Sequence, residues 1–274
     1  MLNYLFSLQE ELADEAGSEL SENRSFLFGD GFFETIRLNH NGIMPLAAYH
    51  AARISASASL LQFKGLEAFS TDGLQALLRR IPESTDWKGM KLKLVFYRHG
   101  TGGYGPEGDY KTMVYASASP LKLPFISRIE KVAVAESVRI FRSELSHVKS
   151  TSALPYVMAG MERNSKACDE IILLSKEGFA VEGSFTSICW EDEEGIHFTP
   201  RQLGGIDSCS RRFLEDHFRT FSIPVSEKEV KPEELLNRSH WICFSSALGL
   251  RILTPNHGHQ FIPEVFTLSE LEGL

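Results

Sequence analysis

Residues 169–190 read DEIILLSKEGFAVEGSFTSICW. The apolar run Glu170–Leu174, the turn residues Lys176-Glu-Gly178, then Phe179–Val181 and Thr186–Trp190 form a strand-rich run. A second turn, Glu193-Glu-Gly195, leads to another strand over Ile196–Thr199. Within this run a single carboxylate, Glu182, stands among Phe179, Ala180, Val181, Gly183 and Phe185, and by alternation it faces away from Val181. Moving outward, a strand is expected over Lys131–Val138 and a helix over Ala153–Ser165, with Pro155 in its first turn. Downstream, the stretch Leu203-Gly-Gly-Ile-Asp-Ser208 opens a helix over Ser208–Phe221, and late strands follow at Trp241–Ser245 and Leu250–Leu253.

The N-terminal part reads differently. Apolar residues recur at helical spacing over Leu46–Leu61, just after Pro45, and a second helix is expected over Asp72–Ile81, with Thr71 as N-cap and Pro82 past its end. KLKLVFY, Lys91–Tyr97, alternates as a half-buried strand, and Lys111–Ser117 is its companion across the glycine-rich loop His99–Pro106. Pro120 and Pro124 bracket a short linker. The expected architecture is α+β in two domains: a smaller one over residues 1–119 and a larger one over 120–274 that carries Lys149 and Glu182.

Composition sets limits on function. The 274 residues are 43% hydrophobic and 23% charged, as in a globular protein, and the 19 phenylalanines supply aromatic cores. A net charge of −8 argues against a nucleic-acid partner, which needs a basic face. Cys168, Cys189, Cys209 and Cys243 show neither a CxxC pair nor histidines at metal spacing, so buried thiols are expected, with no metal. The N-terminus lacks a basic leader and no apolar run reaches membrane-spanning length, so a cytoplasmic location is expected.

Three features carry chemistry together. Lys149 lies in HVKSTSALPY, Glu182 sits among small residues, and a helix starts after Gly204-Gly205. Pyridoxal phosphate needs an amine for its aldehyde, an acid for its ring nitrogen and N–H groups for its phosphate. Singly, each feature also reads as a solvated lysine, an exposed strand glutamate and an ordinary helix start. The glycine loop lacks the Lys-Ser/Thr of a phosphate-binding P-loop and precedes a strand. It reads instead as an active-site rim, with Arg98, His99 and Tyr104 as polar contacts.

The order of motifs resembles the class IV aminotransferase family, which includes branched-chain and D-amino acid aminotransferases and 4-amino-4-deoxychorismate lyase. Phe28-Gly-Asp-Gly-Phe-Phe-Glu-Thr35 is similar to the family's GDGxFET segment, and Tyr49-His-Ala-Ala-Arg-Ile-Ser55 to its HxxRLxxS helix. Val148-Lys-Ser150 matches the lysine segment; Asp169–Leu174 with Val181-Glu-Gly-Ser184 and Ser187-Ile188 matches DEAILLD…VxEGSxxNIF. Phe198-Thr-Pro200 and Leu203-Gly-Gly-Ile206 resemble FTP…LxGITR, and Ser245-Ser-Ala247 falls at a hydroxyl-bearing phosphate loop. Three positions depart from the pattern: Ala153 where the family often has a tyrosine for the cofactor's phenolic oxygen, Asp207 for threonine, and Ser187 for asparagine.

The resemblance implies a D-amino acid aminotransferase-like fold, pyridoxal 5'-phosphate as cofactor, a homodimer, and a small-molecule amino substrate. It implies a Schiff base on Lys149, which then serves as general base and acid, and a ring-nitrogen partner in Glu182. Phosphate contacts fall on Arg53, the amides of Ile206 and Asp207, and Ser246. Tyr156, one turn beyond Ala153, is the candidate to replace the missing tyrosine, and Arg98, His99 and Tyr104 are candidates for the substrate carboxylate. Transamination, pyruvate-releasing lyase chemistry and a cofactor-binding homologue without turnover all stay open at this point.

Overall fold

The computed structural model describes residues 2–7, 22–80, 87–121, 126–237, 241–245 and 249–253. They fall into two compact units. The first runs to residue 121 and includes Val148–Ser152; the second holds the rest.

In the first unit, β1 (Leu2–Ser7), α1 (Arg24–Phe28), β2 (Gly31–Arg37), α2 (Ala47–Leu60), α3 (Thr71–Arg79), β3 (Met90–His99) and β4 (Lys111–Pro120) follow in order. The strands form one antiparallel sheet, ordered β1-β4-β3-β2. Phe32 and Ile36 of β2, Leu92, Leu94 and Phe96 of β3, and Val114 and Ala116 of β4 share one buried core with Ile54 and Ala58 of α2 and Leu74 and Leu77 of α3. Each such large side chain contributes about 1.5–3 kcal/mol. The phenylalanines do what their number suggested: Phe32 stacks on Phe96 with centroids 4.9 Å apart and meets Phe63 edge-on at 5.2 Å.

The two helices expected from the sequence, α2 and α3, are present in this unit, and α1 is a further short one. The cap of α3 is Ser70, whose hydroxyl accepts from Gly73 N at 3.3 Å, so Thr71 is the first helical residue and not the cap. The expected end at Ile81 and Pro82 lies outside the described residues, as does Pro124 of the expected linker. Val148–Ser152 packs with this unit for a backbone reason. Phe33 N donates to Lys149 O at 2.9 Å and Thr151 N to Gly31 O at 3.0 Å, so the lysine segment extends the pairing of β2.

The second unit contains β5 (Ile126–Ile129), β6 (Val132–Val134), α4 (Leu154–Ser165), β7 (Glu170–Leu174), β8 (Ala180–Gly183), β9 (Ser187–Asp192) and β10 (Gly195–Phe198). After a 3-10 turn at Arg201–Leu203 come α5 (Cys209–Thr220), β11 (Val225–Glu227), α6 (Pro232–Leu236), β12 (Trp241–Ser245) and β13 (Gly249–Leu253). A six-stranded sheet runs β11-β10-β9-β12-β13-β5, and a three-stranded sheet runs β6-β7-β8.

β7 is buried along its whole length. Its two faces feed separate cores, Ile172 and Leu174 with Ile188 and Trp190, and Ile171 and Leu173 with Ala159, Val181 and Leu203. A strand covered on both faces reads as a continuous apolar run, which is why DEIILL shows no alternation. The strand expected over Lys131–Val138 is shorter, Val132–Val134; its last pair with β7 is Val134 with Ile172, closed by Ala135 N donating to Ile172 O at 2.9 Å.

Candidate functional site

In the second unit, the opening stretch builds a cradle around Glu182. Asp169 Oδ2 accepts from the backbone N–H of Glu130 and Lys131 at 2.8 and 2.9 Å, which anchors the entry to β7. Glu170 is 0% exposed, yet its charge is met by four donors. Its Oε1 accepts from Ile171 N, Ser184 N and Ser184 Oγ at 3.0, 3.0 and 2.7 Å, and its Oε2 from Thr186 Oγ1 at 2.8 Å. A buried carboxylate is tolerated only with such partners. Gly183 is required beside it: a Cβ there would lie 2.3 Å from Thr186 Oγ1 and 2.8 Å from Glu170 Cδ. Sequence reasoning missed Glu170; the Ser184 and Thr186 hydroxyls downstream were its signal.

β8 thus presents Glu182, a carboxylate only 6% exposed. Its Oε1 accepts from Tyr156 Oη at 2.6 Å and from Ile206 N at 3.1 Å. Burial of the phenol, then the charge and hydrogen bond of Glu182, push the pKa of Tyr156 well above that of an ordinary tyrosine. Gly204 and Gly205 serve different ends. Gly204 ends the 3-10 turn with a left-handed φ of 96°. Gly205 lets the chain approach the acid, since a Cβ on it would sit 3.1 Å from Val181 Cγ1 and 3.4 Å from Glu182 Oε1. A pocket results, lined by Glu182, Ser187, Thr199, Gly205, Ile206 and Asp207 among others.

α5 begins at this pocket. Ser208 is its N-cap, accepting from Arg211 N at 3.3 Å. Asp207 turns its carboxylate to Arg212, whose Nε donates to Oδ1 at 3.0 Å. The two amides expected to face a phosphate have other partners here: Ile206 N takes Glu182, and Asp207 N donates to His147 O at 3.3 Å. Tyr156 likewise gives its hydroxyl to Glu182 and not to a position that would replace the tyrosine missing at Ala153. Ser246 lies outside the described residues.

In the first unit, Lys149 places its ammonium 4.7 Å from the centroid of the Phe33 ring. Arg53 and Glu34 form a buried bidentate pair. Arg53 Nε donates to Oε1 at 2.7 Å and its NH2 group to Oε2 at 2.6 Å, with His50 Nδ1 also 2.7 Å from Oε2. Burial would raise the pKa of Glu34, but the charge and hydrogen bonds of Arg53, then His50, outweigh it and hold it at about 2.

The residues expected to meet a substrate are engaged otherwise or exposed. Arg98 is buried, pairs with Asp30, donates to Leu61 O, and stacks 4.1 Å from the centroid of Phe63. His99 pairs with Glu22 at 3.1 Å, and Tyr104 is 95% exposed. The loop they frame is gathered by Arg24, 0% exposed, which donates to the carbonyls of Gly102 and Tyr104 at 3.3 and 2.8 Å. Nothing in the polar stretch around Arg24 announced that role.

Among the described residues, Asp192, Glu194 and His197 bring metal-competent atoms within 4.8 Å. The cation there is Lys228, whose ammonium lies 3.4 Å from Asp192 and 3.0 Å from Glu194. All four cysteines are free, three of them buried. No helix of the described residues is long and apolar enough to cross a membrane.

The chain is similar in sequence and in fold to several known proteins. It is 25% identical over 224 residues to the D-alanine aminotransferase of Bacillus licheniformis, covering 79% of this chain and 75% of the relative. It is 25% identical over 237 residues to the aminodeoxychorismate lyase of Vibrio harveyi, covering 83% of each. The structure superposes on the branched-chain aminotransferase of Thermoproteus uzoniensis with a TM-score of 0.79 over 98% of this chain and 91% of that one, at 20% identity, which shows the fold. The model of the family described as amino-transferase class IV matches residues 31–254. From β2 to the last strand, then, this α+β chain belongs to the class IV aminotransferases, a family of pyridoxal-phosphate-dependent enzymes.

Proposed function

We propose that the chain binds pyridoxal 5'-phosphate and transfers the amino group of an amino-carboxylate substrate. The observation that carries this reading is Glu182, a buried carboxylate aimed into a pocket whose wall, at Gly205, has no side chain to fill the space beside the acid. A buried anion there fits a protonated ring nitrogen. When bound, the cofactor supplies an aldehyde for amines and a ring that accepts electron density from the carbon bearing the substrate amine.

The protein's share follows from its own groups. Lys149 supplies the amine that holds the aldehyde and, once displaced, moves a proton to and from the substrate carbon. Glu182 contributes a fixed negative charge. Arg53, the amides of Ile206 and Asp207, and Ser246 are assigned to the phosphate. The two amides each spend their one N–H on an acceptor in the structure, so phosphate binding requires them to exchange those partners. Arg98 and His99 act through the fold of the first unit, by holding Asp30, Leu61 and Glu22 in place.

The chain acts as a homodimer in this reading. Leu154, Val157, Met158 and Met161, spaced i, i+3, i+4 and i+7 on α4, are 44–73% exposed and form an apolar stripe of the kind that marks an interface.

Borohydride reduction of the protein loaded with pyridoxal phosphate, followed by peptide mapping, should place the label on Lys149. A Lys149→Ala variant that keeps a reducible label refutes the assignment. D- and L-amino acids should then convert the bound cofactor to its amine form, seen as loss of the visible band. A second reading, release of pyruvate from aminodeoxychorismate, is favoured by the Vibrio harveyi lyase, which matches 83% of both chains. Pyruvate formed without a keto-acid acceptor would select it.

A further inference from the structure

We propose that Tyr156 is a positioning residue for Glu182, fixing the carboxylate that the proposed function pairs with the cofactor's ring nitrogen. This rests on that reading and adds to it a group it does not contain.

The geometry is specific. Tyr156 is the third residue of α4, after Pro155, whose ring fixes the backbone of the first turn. Its hydroxyl donates to Glu182 Oε1 at 2.6 Å, at the short end for an O–H donor and typical of a charged acceptor. The same oxygen takes Ile206 N at 3.1 Å. The two donors differ in what else they could do. The Ile206 amide lies beside the pocket at the start of the α5 region, where the phosphate is assigned, so on cofactor binding it has a competing acceptor. The phenol has no such alternative role to serve: its donation to Glu182 holds the acid's rotamer whichever acceptor the amide takes. Burial and the neighbouring carboxylate keep the phenol protonated, hence a donor, across the working pH range.

The position also accounts for Ala153. The chain lacks a tyrosine there, and the hydroxyl of Tyr156, three residues on, goes to the acid assigned to the ring nitrogen, where a tyrosine at position 153 would serve the phenolic oxygen. Tyr156 is therefore a new contact to the acid and not a relocated copy of the missing one.

The test is a double-mutant cycle on cofactor affinity, with a second measurement on the cofactor-free protein. Tyr156→Phe should weaken pyridoxal phosphate binding about tenfold, near the lower end for a hydrogen bond to a charged group. In a Glu182→Gln background the same change should alter affinity less than twofold. In the cofactor-free protein labelled with 13Cζ-tyrosine, the resonance lost in Tyr156→Phe should move in Glu182→Gln, which reports the contact itself.

A tenfold effect in both backgrounds, or in neither, overturns the proposal. If Lys149 is labelled normally while Tyr156→Phe binds cofactor like the parent, this inference alone fails. If the tyrosine resonance responds to Glu182→Gln but the parent binds no pyridoxal phosphate, the functional reading fails and the positioning role falls with it.

Discussion

Replacing Glu34 by Gln removes one charge from a triad whose members are all buried: Glu34 and His50 at 1% exposure and Arg53 at 6%. The magnitude can be worked in two ways. The carboxyl pKa falls from 4.5 to about 2, which corresponds to about 3 kcal/mol of folded-state preference for the carboxylate. Independently, removing one partner of a buried ion pair costs about 3–5 kcal/mol because the other charge is stranded. Glutamine keeps the shape and one acceptor for Arg53, so a loss of about 3 kcal/mol is expected at pH 7. The folded-state pKa is the lower one, so this contribution is fully present above pH 4.5 and is lost as pH falls toward 2. The difference between parent and variant should therefore shrink with acidification. Because the chain has two compact units, a single unfolding midpoint would blend them. Hydrogen exchange of β2 and β3 peptides reads the first unit directly. A loss below about 1 kcal/mol at pH 7, or an undiminished difference at pH 2.5, would refute the triad as a charged pair.

Other expectations follow from the same geometry. Glu170→Gln, which trades an acceptor oxygen for a donor opposite Ser184 or Thr186, should cost about 3 kcal/mol, read as faster exchange in the β7 and β8 peptides. Protection equal to the parent's would contradict the bracing role. Gly183→Ala drives a Cβ to 2.3 Å from Thr186 Oγ1 and should lose about 2–3 kcal/mol, seen as a lower urea midpoint for the second unit. Under the proposed homodimer, the parent should sediment as a dimer and Met158→Glu on the α4 stripe as a monomer at micromolar concentration; equal sedimentation coefficients would refute the stripe as a dimer interface.

Much of the fold was legible because periodicity maps directly onto packing. α2, α3, α4 and α5 follow apolar spacing and caps, and β7–β10 follow turn residues at 176–178 and 193–195. β2 was not read as a strand. Its inward positions are Phe32, Glu34 and Ile36, each 1% exposed, so the alternation is real but carries a charge in its centre. That charge is buried only because α2 brings His50 and Arg53 to it from 16 and 19 residues further on. A pattern rule that expects apolar residues inward cannot see a strand whose partner arrives from another element.

The same limit explains the site. Residue types fixed which side chains could serve a cofactor, but partner choice is decided in three dimensions. Asp207 reads as a carboxylate standing where the resemblance expects threonine until Arg212, five residues later on the first turns of α5, takes its charge. Tyr156 reads as a substitute for a neighbour missing at Ala153 until β8 places Glu182 within 2.6 Å of its hydroxyl. Arg98 reads as an anion ligand by its loop, although Asp30 and the Phe63 ring already engage it. In each case the deciding fact is which opposite charge or acceptor the fold delivers. A buried ionisable group must have such a partner, so the right question to put to any charge in this chain is which element can reach it. Put to Glu182, that question returns the first turn of α4 and the turn before α5. Both segments donate to the acid in the structure, and under the proposed function they would steady it whether the reaction is a transfer or an elimination.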